Sequence, residues 1–147
     1  MSIHPIPHRS VIANALYGVL NPVPFGCFVA ALIFDILYLR TAVIQWGKGA
    51  AWLIVIGLLF AIIPRLINLA QVWVTSRRSA VRAERVDFWF NLLAIIAAIF
   101  NAFVHSRDAY ATMPTGAWLS AFTVILLAIG RISVAVQRTS VGGLVHE

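Results

Sequence analysis

Four long apolar runs, separated by short polar segments, dominate this chain of 147 residues. They cover about residues 24–39, 50–74, 88–104 and 116–136. Because a helix rises ~1.5 Å per residue, about 20 apolar residues are enough to cross the hydrocarbon layer of a bilayer. We predict an all-α integral membrane protein. Its four transmembrane helices form an antiparallel bundle within a single domain, residues 22–136.

The composition supports lipid as the solvent for much of the chain. Apolar residues make up 61% and charged residues 11%, whereas soluble domains have about 45–50% and about 25%. The net charge is +6, but the basic residues lie between the apolar runs, as membrane topology requires. We therefore expect membrane lipids as partners and no nucleic acid.

A shorter apolar segment precedes the first span. Residues 10–20 are apolar but cover only about half the length of a span. Pro22 and Pro24 follow and disfavour a continuous helix. We interpret residues 1–21 as a polar lead with a short interfacial helix; the alternative is an extension of the first span through a kink. Residues 137–147 are expected to form a cytoplasmic tail.

The basic residues also predict an orientation. Four spans place both termini on one side, and the positive-inside rule assigns the more basic side to the cytoplasm. The terminal side would carry Arg9, Arg77, Arg78, Arg82, Arg85, Arg131 and Arg138, and the opposite side Arg40, Lys48 and Arg107. Tryptophans fall at the ends of the predicted spans, as in an aromatic belt. Both termini are therefore expected in the cytoplasm.

Polar side chains inside the spans fall at two depths. Counting residues from the span ends predicts an outer set of Asp35, Asn101, His105 and Ser120, and an inner set of Arg65, Asn68, Asn91 and Arg131, with Asp87 at the rim. Asp35 and Arg65 differ in depth by roughly 15 Å of helix, so we do not pair them.

Two interpretations of these layers remain open. They are half-sites for a ligand or a proton relay, or they are interhelical hydrogen bonds that fix helix register, together with arginines reaching the headgroups. The structural interpretation is favoured because a relay needs acids spaced through the bilayer, and Asp35 is the only acid within a predicted span.

No catalytic, cofactor or metal site is predicted. His4 and His8 have a metal-ligand spacing, but the prolines at positions 5 and 7 prevent the helix that would use it. A haem between helices needs axial ligands on facing spans, and His105 alone lies at a span end. Ser120 has no base close in sequence. We expect a protein without enzymatic activity and without a cofactor.

The segment between spans two and three carries four arginines, Arg77, Arg78, Arg82 and Arg85. Basic residues near a membrane surface attract anionic lipid headgroups. These arginines are therefore candidate headgroup contacts or a docking site for an acidic partner. Their role as a topology determinant is a sufficient explanation.

The chain resembles the bacterial membrane proteins known as domain of unknown function 2231, over roughly residues 22–142. The resemblance rests on Pro24-Phe25-Gly26 followed by Asp35, on Trp52 and Gly57, on Asn91 and Asn101, on Arg107, and on the stretch from Gly130 to Arg138. It implies four helices in a bacterial inner membrane and no particular activity.

Two positions depart from the pattern of that family. Asp87 stands where members often have histidine, and Arg65-Leu66-Ile67-Asn68 stands where an Asp-Phe pair is common. If the polar residues of the family form a site, these departures put that site in doubt here.

The first functional hypothesis is an accessory or structural subunit of a larger membrane complex. Small residues four apart on the spans, the interfacial segment and the basic loop support it. The alternatives are a redox-associated protein that binds haem or quinone between its helices, and a small transporter or channel that uses Asp35 and Arg65.

Overall fold

The computed structural model describes residues 22–75, 82–107 and 111–143. For the helical residues 64–75, 82–85, 87 and 137–143 it describes the backbone alone. The predicted interfacial helix of residues 10–20 therefore lies outside the described residues, as do Arg77 and Arg78.

Four α-helices follow one another in the described chain: α1 (Val23–Thr41), α2 (Ile44–Thr75), α3 (Arg82–His105) and α4 (Thr115–Gly143). Each is long and apolar enough to cross a membrane. Contacts are most extensive between α1 and α2 and between α3 and α4, and contacts of α4 with α1 and of α2 with α3 close the bundle. The predicted all-α bundle of four spanning helices is confirmed.

The connection between α1 and α2 is much shorter than the predicted segment of residues 40–49. Only Ala42 and Val43 separate the two helices, and α2 begins at Ile44. Gly47 and Gly49, which lie between the predicted first and second spans, are helical. The lack of a side chain at Gly49 allows α2 to pack close to α1 there, because a Cβ atom on Gly49 would lie 2.6 Å from the ring of Phe34 in α1.

Ala42 ends α1 in an unusual backbone conformation. Its φ of 54° lies in the left-handed region, and its N–H donates a 2.8 Å hydrogen bond to the carbonyl oxygen of Tyr38. This is a C-terminal helix cap at which glycine is the usual residue, since a Cβ atom is strained there.

The buried face of α1 is a narrow stripe. It consists of Pro24, Phe28, Ala31, Asp35 and Tyr38, spaced alternately four and three residues apart, so it follows one side of the helix. Alanines from the other helices complete the core, among them Ala50, Ala94 and Ala98. Small side chains allow close helix contact, which replaces the hydrophobic effect as the source of cohesion in lipid.

Large apolar side chains point outward instead. Trp52, Phe103 and Trp118 are 70%, 65% and 74% exposed. Such exposure would be unfavourable in water but suits a surface solvated by lipid. The bundle thus has a lipid-compatible exterior and a core of small residues.

The small residues of the predicted packing faces do not all serve that role. A Cβ atom on Gly57 of α2 would lie 3.0 Å from the Phe28 ring and 3.1 Å from Cys27 of α1, so α1 and α2 approach closely there. Around Gly26 there is no atom within 4 Å of the Cβ position. Gly57 therefore marks a helix contact and Gly26 does not.

Replacing Ala42 with glycine should stabilise the protein. The left-handed conformation costs an L-residue about 1–2 kcal/mol, and glycine removes this cost but gains entropy in the unfolded state. We expect the free energy of unfolding to rise by about 0.5–1 kcal/mol, measured by denaturant titration in detergent micelles. Val43→Gly is the control and should lower it, so equal effects would contradict this account.

Candidate functional site

Three helices bring polar side chains together near one end of the bundle. We call this the connection end: it contains the last turns of α1 and α3 and the first turns of α2 and α4. Asp35 comes from α1, Asn101 and His105 from α3, and Ser120 from α4. We call these four residues the polar ring. The structure thus brings together the outer set of polar residues.

The polar ring is closed by hydrogen bonds. His105 Nε2 lies 2.8 Å from Asp35 Oδ1, and the hydroxyl of Ser120 donates to Asp35 Oδ2 over 2.5 Å. The side-chain amide of Asn101 donates to Ser120 Oγ over 2.7 Å. His105 Nδ1 lies 3.0 Å from the backbone carbonyl oxygen of Asn101. Asn101 thus contacts both Ser120 and His105, which closes the ring.

Helix periodicity explains this convergence. Asn101 and His105 are four residues apart and therefore lie on the same face of α3. Asp35 follows the buried stripe of α1. Ser120 and Thr123 are buried on α4, but Thr123 donates its hydroxyl hydrogen to the carbonyl oxygen of Leu119 in its own helix. Ser120 is thus the α4 residue that bonds to the ring.

The hydrogen bonds fix where the protons can lie. A backbone carbonyl oxygen only accepts, so Nδ1 of His105 carries a hydrogen. Nε2 then either donates to an ionised Asp35 or accepts from a protonated one. Both arrangements satisfy the 2.8 Å contact, and in both the pair has no net charge. Asp35 and His105 therefore share one proton.

This neutrality makes the ring compatible with its position. Asp35 is fully buried, and the His105 side chain is 2% exposed. An isolated charge in a membrane span costs about 2.5–3.5 kcal/mol or more, whereas a neutral, hydrogen-bonded pair avoids most of that cost. Among the described residues, Oδ1 of Asn101 is the buried side-chain polar atom without a hydrogen-bond partner.

Two small residues hold His105 in place. Thr112, in the segment before α4, is buried, and its carbonyl oxygen accepts a 2.8 Å hydrogen bond from the N–H of Gly116. A Cβ atom on Gly116 would lie 2.7 Å from Cε1 of His105 and 3.1 Å from Cγ2 of Thr112. The absence of a side chain at Gly116 is therefore what leaves room for the imidazole.

The inner set of polar residues is only partly described. Asn91 is buried in α3, and the guanidinium of Arg131 lies 5.3 Å from the centre of the Phe25 ring, a cation–π contact. The side chains of Arg65, Asn68 and Asp87 lie outside the described residues, as do those of Arg82 and Arg85. Their predicted roles stay predictions.

A cavity of about 460 Å³ opens beside the polar ring at the connection end. It is lined by Tyr38, Ile44, Gly47, Lys48, Ala51, Trp52, His105, Arg107 and Thr112. Sequence reasoning did not find this cavity. One signal was present, since Tyr38 follows Asp35 by three residues and so shares its helix face.

Comparison with known proteins identifies a family but no characterised relative. A family model described as "Predicted membrane protein (DUF2231)" matches residues 15–135, which is most of the chain. No curated protein and no solved structure matches.

Replacing Asp35 with asparagine should preserve the ring, and replacing it with alanine should not. The asparagine amide can donate to Nε2 of neutral His105 while its oxygen accepts from Ser120, so every bond survives. We expect Asp35→Asn to change the free energy of unfolding by less than about 1 kcal/mol. Asp35→Ala leaves two buried polar groups unpaired and should cost about 3–5 kcal/mol.

Denaturant titration in micelles, with helix content followed by circular dichroism, measures both Asp35 variants. Similar losses for the two substitutions would contradict the proton-sharing arrangement, since only an ionised carboxylate would then satisfy the ring.

Gly116→Ala should also disturb the ring, because the new methyl group would lie too close to the imidazole of His105, whose two nitrogens are held by hydrogen bonds. We expect overpacking to lower the free energy of unfolding by about 1–3 kcal/mol. Gly26→Ala is the matched control, since its methyl group meets no neighbour within 4 Å and alanine favours a helix. Destabilisation by Gly26→Ala of the same size would show that the His105 contact is not the cause.

Proposed function

Since the chain belongs to the family of predicted membrane proteins DUF2231, we propose that it is a non-enzymatic multi-pass protein of the bacterial inner membrane. In this proposal it is an accessory or structural subunit of a larger membrane complex. The four spanning helices make it a multi-pass membrane protein. The subunit role and the assignment to the bacterial inner membrane are proposals that go beyond this observation.

The polar ring is the observation that carries this proposal. Its hydrogen bonds run from one ring member to the next, and they join α1 to both α3 and α4. This arrangement fixes the register of three helices, as interhelical hydrogen bonds do in membranes. A rigid bundle with a fixed register suits a scaffold on which other subunits assemble.

The same geometry argues against hydrolytic chemistry at Ser120. Activation of a serine requires its hydroxyl to donate to a histidine that acts as a base. Here the Ser120 hydroxyl donates to Asp35, and His105 meets the other oxygen of the same carboxyl group. The carboxyl group lies between the two residues, whereas in a catalytic triad the histidine lies between the serine and the acid.

Charge and aromatic residues support the proposed orientation. At the connection end, Trp52 and Trp118 are strongly exposed, as expected of side chains at a membrane interface. At the opposite end of the bundle α2 ends at Thr75 and α3 begins at Arg82, and the segment predicted between spans two and three carries four arginines. We place this end and both chain termini in the cytoplasm, where the four arginines of the segment would contact anionic headgroups or an acidic subunit.

A proton-coupled transporter is the second candidate, because Asp35 and His105 share a proton. It makes a different prediction for Asp35→Asn, which preserves the hydrogen bonds but holds no exchangeable acid proton. If Asp35→Asn leaves proton-driven flux in liposomes unchanged, the structural role is supported. Selective loss of that flux supports transport. Haem ligation draws no support from His105, since both ring nitrogens take part in hydrogen bonds.

Co-purification tests the subunit proposal. The full chain, tagged and expressed from its own promoter, is extracted in mild detergent and its partners are quantified by mass spectrometry. We expect one or more membrane proteins in fixed stoichiometry with the chain. An unrelated four-span protein with the same tag is the control. Elution of the 16.1 kDa chain alone, also after cross-linking in intact membranes, would overturn the proposal.

A further inference from the structure

We propose that the cavity at the connection end binds the anionic headgroup of a phospholipid, with an acyl chain lying along α2. This lipid site is separate from the opposite end of the bundle, where α2 ends at Thr75 and α3 begins at Arg82. The inference does not depend on the subunit role, since a bound lipid is compatible with a chain that has no protein partner.

Two basic residues line the cavity. Lys48 projects from the first turns of α2, and Arg107 follows the end of α3. None of the described residues that line the cavity is acidic, and Asp35 is paired with His105. The cavity therefore has a local positive charge, which favours a phosphate group.

The depth of the cavity matches the headgroup region. The apolar span of α2 begins at Ile44 and the span of α3 ends at His105, and both residues line the cavity. The cavity thus lies where the hydrocarbon layer meets the headgroups. Its volume of about 460 Å³ is within the range of about 300–1,000 Å³ typical of small-ligand sites.

An apolar groove on α2 adjoins the cavity. Ala51 and Trp52 line both features, and Val55 extends the groove, which has a volume of about 160 Å³. Val55 lies one helical turn beyond Ala51, about 6 Å deeper in the membrane. A charged cavity that continues into a lipid-facing apolar groove fits an anionic amphiphile, whereas free phosphate would use only the cavity.

Trp52 offers a contact that the acyl chain of a lipid can use and a free anion cannot. Its ring is 70% exposed and lies at the junction of the cavity and the groove. Indole rings are favoured at membrane interfaces because one edge is polar and the face is apolar. We expect the Trp52 ring to pack against the first part of the acyl chain.

Native mass spectrometry of the purified full chain in detergent tests this site. Dioleoyl phosphatidylglycerol is the anionic probe, dioleoyl phosphatidylcholine the zwitterionic one, and inorganic phosphate the free competitor. We expect saturable binding of one phosphatidylglycerol per chain, weaker binding of phosphatidylcholine, and no displacement by phosphate. Equal binding of the two lipids, or full displacement by phosphate, would overturn the proposal of an anionic lipid site.

Matched variants locate the site. Lys48→Gln with Arg107→Gln should weaken phosphatidylglycerol binding about 25-fold, or about fivefold for each base. Arg40→Gln is the control, because Arg40 is an exposed base at the same end that does not line the cavity. An equal loss with Arg40→Gln would indicate general surface attraction and contradict the proposal, as would unchanged binding in the double variant.

A second pair of variants tests the acyl chain. Trp52→Ala should reduce lipid binding several-fold, while Trp118→Ala, an equally exposed tryptophan at the same end on α4, should leave it unchanged. Both side chains are on the surface, so both variants should fold, which circular dichroism checks. Equal lipid binding by the Trp52→Ala variant and the wild type would contradict the proposal that the groove holds the acyl chain.

Discussion

The shared proton between Asp35 and His105 is the interaction on which the connection end of the bundle depends. A carboxyl group buried in a membrane span is unfavourable unless its charge is compensated and its oxygens are hydrogen-bonded. The short contact with His105 and the donation from Ser120 meet both conditions. As a result, one acidic residue joins three helices, and the positions of His105 and Ser120 relative to α1 follow from it.

Polar side chains are prominent in the interior of the bundle. Ile54, Asn101, Thr123 and Asp35 are the largest fully buried side chains among the described residues. In water the large apolar residues would occupy these positions, but here lipid solvates them and small residues fill the core. Hydrogen bonds therefore provide much of the specificity that side-chain shape provides in a soluble core.

The residues of the polar ring could be predicted to lie at one level because the helix rise per residue converts residue counts into depth. Asp35, Asn101 and Ser120 lie at similar distances from the span ends, and the structure brings them together with His105. The predicted start of the second span was wrong, because α2 already begins at Ile44 and Lys48 with its neighbouring glycines interrupts the apolar run. Gly49 instead admits the Phe34 ring. The cavity could not be predicted, since it depends on how α1, α2 and the segment before α4 pack.

The two-residue connection between α1 and α2 has a consequence for biogenesis. With only Ala42 and Val43 between them, these helices form a local hairpin that can pair as soon as both have entered the membrane. Asn101, His105 and Ser120 belong to the later hairpin, so the carboxyl group of Asp35 enters the bilayer before its partners are synthesised. Until they arrive it lacks the hydrogen-bond partners of the polar ring, so the packing of the two hairpins against each other is the step that completes its burial.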